Sequence, residues 1–346
     1  GYCQPFSFLW NPITMKLSIA SAVIAVLLAP LSTVQAAQSS FQAPLVDQSL
    51  LLDITQSGEQ LIAVGERGHI IRSTDGQKWQ QVDVPSTSTL TGVCFIGQQG
   101  WAVGHDLVIL HTENNGLDWE VQHFAPEQER PLLDVAFFDK NEGIAIGAYG
   151  AFLRTEDGGK TWHSELHAEF VNQDDQDYLN ELRLEDEAFY KEELAAILPH
   201  LNSVSVSGKH VYLAGEAGLL AMSSDKGHTW QRMDIDYRGS FFNIVKAQSG
   251  DLIATGLRGN VFVFNNDEQD WKALDAGSKA SMNAVVSVDE NRTVLLGNNG
   301  AVVTLQGEDV NYEQRSDGQT LVNGVFYNNQ IIAVSVDGIK HLQQAR

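Results

Sequence analysis

The sequence has little positive charge and almost no cysteine. Lysine and arginine number 22 against 44 aspartate and glutamate residues, which leaves a formal net charge of -22. Nucleic acids and anionic membranes bind basic surfaces, so this balance argues against both as partners. Cys3 precedes the cleavage site predicted below, so Cys94 has no disulfide partner in the mature chain. We expect Cys94 to be a small buried strand residue rather than a nucleophile.

Long apolar runs are also scarce, and the one candidate lies near the N-terminus. Residues 15–36 begin with Met15 and Lys16, continue with an apolar stretch and end in Val-Gln-Ala, which is the pattern of a secretory signal peptide. We therefore predict cleavage before Ala37, a periplasmic or secreted location, and no membrane insertion of the mature chain. Residues 1–14 are interpreted as leader or read-through sequence without a structural role.

What the sequence does contain is a repeat of about forty residues. Its marker is a glycine, or in the last copy a serine, that follows a short apolar run. Successive markers are 39, 43, 68, 41, 41 and 38 residues apart, a period typical of propellers and solenoids. Each copy has short β-type runs separated by turn residues, which indicates a four-stranded propeller blade. The markers are Gly65, Gly104, Gly147, Gly215, Gly256, Gly297 and Ser335.

We therefore predict an all-β fold, a seven-bladed β-propeller that spans residues 41–346. The seventh copy, residues 321–342, contains only three predicted strands. Residues 41–46 are placed to supply the fourth one. The ring would then be closed by an N-terminal strand, which removes exposed strand edges.

The interval of 68 residues contains an acidic insertion, residues 164–200, with eleven acidic and two basic residues. Tyr190, Leu194 and Ile197 recur at helical spacing, and Pro199 ends the pattern. We predict a helical insertion between the third and fourth blades. Its apolar stripe packs on the propeller or, alternatively, receives a partner. Links between blades emerge at the same face as the turns between second and third strands, so the insertion is expected over that face.

A second motif, Ser/Thr-x-Asp-x-Gly-x-Thr-Trp, is the Asp box. It is intact in the third and fourth copies and one residue shorter in the first. Its aspartate accepts hydrogen bonds from turn amides, its glycine adopts a left-handed backbone and its tryptophan packs between sheets. We therefore interpret the motif as structural. The residues assigned to it are Asp75, Asp157, Gly159, Trp162, Asp225, Gly227 and Trp230.

The turns that follow the marker glycines form the best candidate binding surface. A second glycine recurs three residues after the first in most copies, while the two residues between them vary in chemistry. Turns at the mouth of a β ring often bind ligands, although these residues could also be ordinary polar turn residues. We prefer Arg67 and Arg258, because guanidinium groups bind carboxylates. The candidates are Glu66, Arg67, His105, Asp106, Tyr149, Glu216, Arg258, Asn298, Asn299 and Asp337.

The Asp boxes and Gly-x-x-Gly blades resemble those of the BNR/Asp-box propellers. Within that group the blade number, leader and chain length are most similar to the photosystem II stability/assembly factors of plants and cyanobacteria and to their relatives in non-photosynthetic bacteria. The resemblance covers about residues 41–343. It implies a non-enzymatic scaffold or assembly factor that binds a protein client, such as a membrane-protein precursor or its complex. The acidic insertion departs from the compact photosynthetic pattern and favours a bacterial relative with another client.

The same group contains sialidases, so a glycan-binding or sialidase-like glycoside hydrolase is the alternative. Sialidase chemistry needs three arginines, a tyrosine nucleophile and an acidic proton donor. Tyr149, Arg67 and Arg258 occupy equivalent turns, but the repeats offer no third central arginine. His163 and His167 do not form the metalloprotease motif His-Glu-x-x-His, because Ser164 stands where its glutamate would be. We therefore predict no enzymatic activity, no metal, no cofactor and a monomeric chain.

Overall fold

The computed structural model describes residues 39–342. The leader and signal peptide predicted for residues 1–36 lie outside this range. Within residues 39–342 the chain forms seven antiparallel sheets and two α-helices; six sheets have four strands and one has three. Every sheet consists of consecutive strands, so each copy of the repeat folds as one propeller blade.

The first three sheets correspond to the first three copies of the repeat. The first contains β1 (Leu51–Ser57), β2 (Gln60–Gly65), β3 (Ile70–Ser73) and β4 (Gln80–Gln81). The second contains β5 (Leu90–Ile96), β6 (Gln99–Gly104), β7 (Ile109–Thr112) and β8 (Glu120–His123). The third contains β9 (Leu132–Phe137), β10 (Gly143–Gly147), β11 (Phe152–Thr155) and β12 (His163–Ser164).

The remaining four sheets follow the helical insertion. The fourth contains β13 (Leu201–Ser207), β14 (His210–Gly215), β15 (Leu220–Ser223) and β16 (Gln231–Arg232). The fifth contains β17 (Phe241–Lys246), β18 (Leu252–Gly256), β19 (Asn260–Asn265) and β20 (Asp270–Asp275). The sixth contains β21 (Met282–Asp289), β22 (Arg292–Gly297), β23 (Ala301–Gln306) and β24 (Asp309–Gln314). The seventh contains β25 (Leu321–Tyr327), β26 (Gln330–Ser335) and β27 (Gly338–Leu342).

The second strand of each blade is a continuous apolar run because neighbouring blades cover both of its faces. In β2, Ile62 and Val64 pack against the second blade, whereas Leu61 and Ala63 pack against the seventh. All four side chains are fully buried. A strand buried on both faces needs apolar residues at every position, unlike the alternating pattern of a half-exposed strand. Neighbouring sheets pack in this way along the chain, and the first sheet also contacts the seventh.

The predicted N-terminal closing strand is absent from the described residues, and the seventh sheet has three strands. The segment before β1 lies instead beside the outer end of the first sheet. Ser40 N donates to Val84 O at 2.8 Å, and Ala43 N donates to the side-chain oxygen of Gln81 at 2.8 Å. Residues 41–46 contain no strand and form no ladder with β27. The prediction of a fourth strand from the N-terminus was wrong.

The insertion between β12 and β13 is a pair of helices, α1 (Gln173–Glu185) and α2 (Glu187–Ile197). Asp186 joins them and caps α2 by accepting hydrogen bonds from the backbone N–H groups of Ala188 and Phe189 at 2.9 and 3.0 Å. Leu179 and Leu194 are buried in one cluster with residues of the third and fourth sheets. The apolar stripe of the insertion therefore packs on the propeller. Neither helix is long and apolar enough to cross a bilayer, and the same holds throughout the described residues.

Candidate binding surface

The Gly-x-x-Gly turns hold one side chain of each turn on a left-handed backbone. The residue before the second glycine has a positive φ, which is 55° at Arg67, 54° at Tyr149 and 58° at Arg258. These three side chains are exposed. A left-handed backbone costs a residue with a Cβ atom roughly 1–2 kcal/mol, so the geometry is imposed by the glycines around it. In the fourth and sixth blades the position is occupied by Ala217 and Asn299, and in the second blade by Asp106, which precedes Leu107 instead of a glycine.

The glycines of these turns lie against the segments that link consecutive blades. In the fifth blade, a Cβ atom on Gly256 would lie 2.3 Å from Ser240 O, and one on Gly259 would lie 2.0 Å from Ser278 O. Ser240 precedes the first strand of this blade, and Ser278 follows its last one. The turns and the blade links therefore share one face of the propeller.

The structure brings together Tyr149 and Glu216, two of the predicted binding residues, through His200, which the sequence analysis did not identify. The rings of Tyr149 and His200 meet edge to face with centroids 4.5 Å apart. His200 Nδ1 lies 3.5 Å from Glu216 Oε1. Arg130 Nη1 also donates to Tyr149 O at 3.5 Å. His200 and Arg130 lie in the links between blades, and neither recurs at the same position of the other repeats. In the sequence, only a neighbouring proline near the end of each link marks these positions.

The two preferred arginines are available cations on this face. The Arg67 side chain is 75% exposed, and its Nε is 4.0 Å from Glu66 Oε2, beyond hydrogen-bonding distance. Arg258 is exposed, and its guanidinium makes no ion pair with any described residue. Only its backbone N–H is held, by Ser281 Oγ at 3.2 Å. In a chain with a net charge of -22, two exposed guanidiniums on one face, of which only Arg67 has an acidic neighbour, are available to a carboxylate ligand.

Most of the other candidates are engaged in local contacts. His105 is exposed within its turn. The remaining contacts are Ser88 Oγ with Asp106 Oδ2 at 2.6 Å, Asn283 Nδ2 with Asn298 Oδ1 at 2.9 Å, Gln314 Nε2 with Asn299 O at 3.2 Å, and Lys340 Nζ with Asp337 Oδ2 at 3.1 Å.

A cavity of about 300 Å³ lies among the innermost strands at the end where the Gly-x-x-Gly turns are found. All seven blades contribute to its lining through the first residues of these strands. Two carboxylates in it join neighbouring blades: Asp53 Oδ2 accepts a hydrogen bond from Val93 N at 2.7 Å, and Asp134 Oδ2 accepts one from Val204 N at 2.8 Å. Asn323 of the seventh blade donates to Asp53. The sequence analysis identified neither Asp53 nor Asp134, although an aspartate within an apolar strand could have indicated them.

The environment of these two carboxyl groups favours their protonated forms. Burial and, to a smaller extent, the negative charge of Asp134 raise the pKa of Asp53 to about 7. Hydrogen bonds from Val93 N and Ile54 N lower the pKa but do not outweigh these two effects. Burial likewise raises the pKa of Asp134 to about 6. Burial and the two neighbouring aspartates also raise the pKa of the Cys94 thiol, so Cys94 is not an activated nucleophile.

Stability is expected to fall between pH 5.5 and 8 because of Asp53. Its folded pKa of about 7 exceeds the unfolded value of 3.8, so the folded chain binds the proton more tightly and loses stability as the pH rises. This contribution is about 2 kcal/mol over that interval. Burial lowers the pKa of His69 and His123, which act in the opposite direction. The measurement is therefore the difference in pH slope between the wild-type chain and Asp53→Asn in urea unfolding.

The control for this measurement is Asp309→Asn, which removes a carboxylate exposed on β24. It should keep the wild-type slope, whereas Asp53→Asn should make the decline about 2 kcal/mol shallower. Identical slopes for the wild-type chain and Asp53→Asn would show that Asp53 is ionised throughout.

The Asp boxes lie at the opposite end of the sheets and are occupied by internal hydrogen bonds. Asp157 Oδ1 accepts from Thr161 N at 2.9 Å, and Oδ2 accepts from Thr161 Oγ1 at 2.7 Å. Asp225 makes the same two bonds to Thr229. In the first blade Asp75 accepts from two turn amides at 2.8 Å. The glycines have positive φ, and Trp230 is buried between the third and fourth sheets; the angles are 86° at Gly159 and 78° at Gly227.

Glu165, at the start of the insertion, is held by an arginine and a histidine. Glu165 binds Arg154 Nε at 2.6 Å and His167 Nε2 at 3.1 Å. No group of three histidine, cysteine or acidic residues within residues 39–342 is arranged to hold a metal ion.

The blades, the paired-glycine turns and the Asp boxes together define a BNR/Asp-box β-propeller. The family model described as "Photosynthesis system II assembly factor YCF48" matches residues 34–131 and 121–238, which is more than half of the chain. The chain belongs to this family. Its members are assembly factors rather than enzymes, so the predicted absence of enzymatic activity is confirmed by the family.

Curated relatives agree with this assignment. The chloroplastic photosystem II stability/assembly factor HCF136 of Oryza sativa subsp. japonica is 27% identical over 176 residues, which cover 49% of this chain and 35% of the relative. A photosystem II assembly lipoprotein Ycf48 of Prochlorococcus marinus is 24% identical over 237 residues, which cover 60% of this chain and 69% of the relative. The chain spans about a third to a half of the length of the matched plant and Synechococcus relatives.

Solved structures of the family share the fold. A YCF48 structure with a bound D1 peptide superposes with a TM-score of 0.64 at 19% identity, covering 89% of this chain and 97% of the other. YCF48 from Cyanidioschyzon merolae gives a TM-score of 0.64 at 17% identity, covering 87% and 97%. At these identities the structural matches establish the propeller fold.

Proposed function

We propose that this chain is a periplasmic or secreted scaffold that binds a protein client through the face carrying the Gly-x-x-Gly turns, and so assists assembly of a membrane or envelope complex. The observation that carries the proposal is the pair of exposed guanidiniums, Arg67 and Arg258, at equivalent positions of that face. Each lies on a left-handed turn backbone, and each side chain is exposed. Exposed arginines of this kind recognise carboxylates of a peptide, either at a C-terminus or on acidic side chains.

The family supports a peptide as the client. One YCF48 structure with the same fold contains a bound D1 peptide, and relatives from Prochlorococcus marinus are named lipoproteins. The helical insertion lies beside the same face, because Leu198 packs on Gly150 and His200 on Tyr149. We therefore assign the insertion a role in flanking the client at the third blade, and propose that the client differs from that of the compact photosynthetic members.

Removing the two guanidiniums should weaken client binding at least tenfold. The experiment is affinity capture from the envelope of the native host with the chain from Ala37 onward as bait, followed by quantitative mass spectrometry. The variant is Arg67→Ala/Arg258→Ala. Each lost charged hydrogen bond is worth roughly 1.5–3 kcal/mol, so loss of both is expected to reduce recovery of the client to a few per cent.

The matched control is Lys78→Ala/Lys160→Ala, which removes two exposed cations from the Asp-box turns at the other end of the sheets. It changes the net charge by the same amount and should leave recovery unchanged. If both double variants lose the client equally, general electrostatic attraction explains the binding. If neither does, the proposed face is not the binding surface.

A further inference from the structure

The far end of the helical insertion exposes large apolar side chains. Leu184, at the end of α1, is 90% exposed, and Phe189, in the first turn of α2, is 47% exposed. Tyr178 on α1 is 46% exposed. The buried residues Leu179 and Leu194 pack against the third and fourth sheets. The insertion therefore has a packed base and an apolar end with no partner in the described residues.

The same end is strongly acidic, and its two cations are already engaged. Arg183 Nε lies 3.1 Å from Glu187 Oε2, and its guanidinium stacks on the Tyr190 ring at 5.3 Å. Lys191 Nζ lies 3.5 Å from the same glutamate. Within residues 39–342 no ion pair reaches the other glutamates of the two helices. These are Glu181, Glu185, Glu192 and Glu193.

The unpaired carboxylates flank the exposed apolar residues. On a helix, residues three and four apart are neighbours. Glu181 is three residues before Leu184, while Glu192 and Glu193 are three and four residues after Phe189. The surface thus alternates apolar contact area with negative charge that nothing in the described chain neutralises.

We propose that this surface, which comprises Leu184, Phe189 and the four unpaired glutamates, binds a basic amphipathic segment of a partner protein. Charge decides the class of partner. A second copy of a chain with a net charge of -22, an anionic membrane and a nucleic acid are all repelled by this end. A segment with lysine or arginine side chains beside apolar ones complements both the negative charge and the apolar contact area of this surface. This site goes beyond the proposed client face, because it uses no Gly-x-x-Gly residue.

The test uses a fluorescein-labelled, 18-residue peptide with leucine and lysine at helical spacing, and the same peptide with glutamate in place of lysine. Binding to the chain from Ala37 onward is followed by anisotropy at 150 mM salt. The lysine peptide is expected to bind and the glutamate peptide not to bind. Leu184→Ser/Phe189→Ser should weaken binding at least tenfold, and Glu181→Gln/Glu185→Gln/Glu192→Gln at least fivefold.

Each variant has a matched control elsewhere on the chain. Leu117→Ser/Phe124→Ser removes the same side-chain types from residues that are each 55% exposed on the second blade. Glu113→Gln/Glu156→Gln/Glu308→Gln removes three exposed charges from turns of other blades. Both controls, and Arg67→Ala/Arg258→Ala, should bind within twofold of the wild-type chain. Equal weakening by test and control variants, absence of peptide binding, or self-association that Leu184→Ser/Phe189→Ser abolishes would overturn the proposal.

Discussion

Replacing Arg154 with alanine is expected to lower the free energy of unfolding by about 3–5 kcal/mol. Arg154 is 5% exposed and joins three parts of the chain. Its guanidinium donates to both carboxylate oxygens of Glu165, at 2.6 and 3.1 Å, and to the carbonyl oxygens of Lys226 and Gly227 in the Asp box of the fourth blade. Without it, the buried Gly227 carbonyl and the partly buried Lys226 carbonyl lose this donor, and Glu165 keeps only His167.

Glu165 shows how strongly this site depends on its cations. Burial raises its pKa, but hydrogen bonds from His167 and Arg154 outweigh burial and lower the pKa to about 2. Urea unfolding of Arg154→Ala measures the predicted loss, and Arg315→Ala is its control. Arg315 pairs with Asp317 at 2.7 Å on a more exposed surface, where removal should cost about 0–1 kcal/mol. Equal, small losses for both variants would show that Arg154 does not hold the third and fourth blades together.

Gly259→Ala is expected to destabilise the chain by about 3 kcal/mol or more. Gly259 has a φ of 76°, which costs alanine about 1–2 kcal/mol. Its new Cβ atom would lie 2.0 Å from Ser278 O, a backbone atom that can move only if the link to the sixth blade moves. Steric overlap therefore adds to the backbone strain, and Arg258 in the same turn would be displaced.

The control for Gly259→Ala lies in the same blade. Gly250 has a φ of 91°, but a Cβ atom there meets no atom within 4 Å. Gly250→Ala should therefore cost only the strain of about 1–2 kcal/mol. Thermal and urea unfolding of the two variants separate the effects. If both lose the same stability, the approach of the blade link does not explain why the turn needs glycine.

The repeat itself made the blades predictable. A glycine recurs about every forty residues, followed by a turn and an apolar run. It recurs for a local reason, because in these blades the turn backbone passes so close to the blade link that a Cβ atom would not fit. The Asp box is equally local, because Asp157 and Thr161 satisfy each other within five residues. Patterns of this kind appear in one sequence because each copy supplies its own partners.

Contacts between blades were not predictable in the same way. Asp53 bonds to Val93 and Asn323, which lie 40 and 270 residues away, and Arg154 bonds to Gly227, 73 residues away. In the sequence, the only indication of Asp53 or Arg154 was that each is a charged residue within an apolar strand. The N-terminal segment was misplaced for a related reason, because Gln81 binds its backbone from the first sheet.

The most direct test of the central claim asks which face of the propeller touches the client in the native host. A photo-crosslinking residue, p-benzoylphenylalanine, replaces Ala217, which holds the left-handed position of the fourth blade, or Lys160 in an Asp-box turn at the opposite end. After irradiation, adducts are identified by mass spectrometry. We predict one membrane or envelope protein crosslinked from position 217 and none from position 160. Equal adducts from both positions, or none from position 217, would contradict the account.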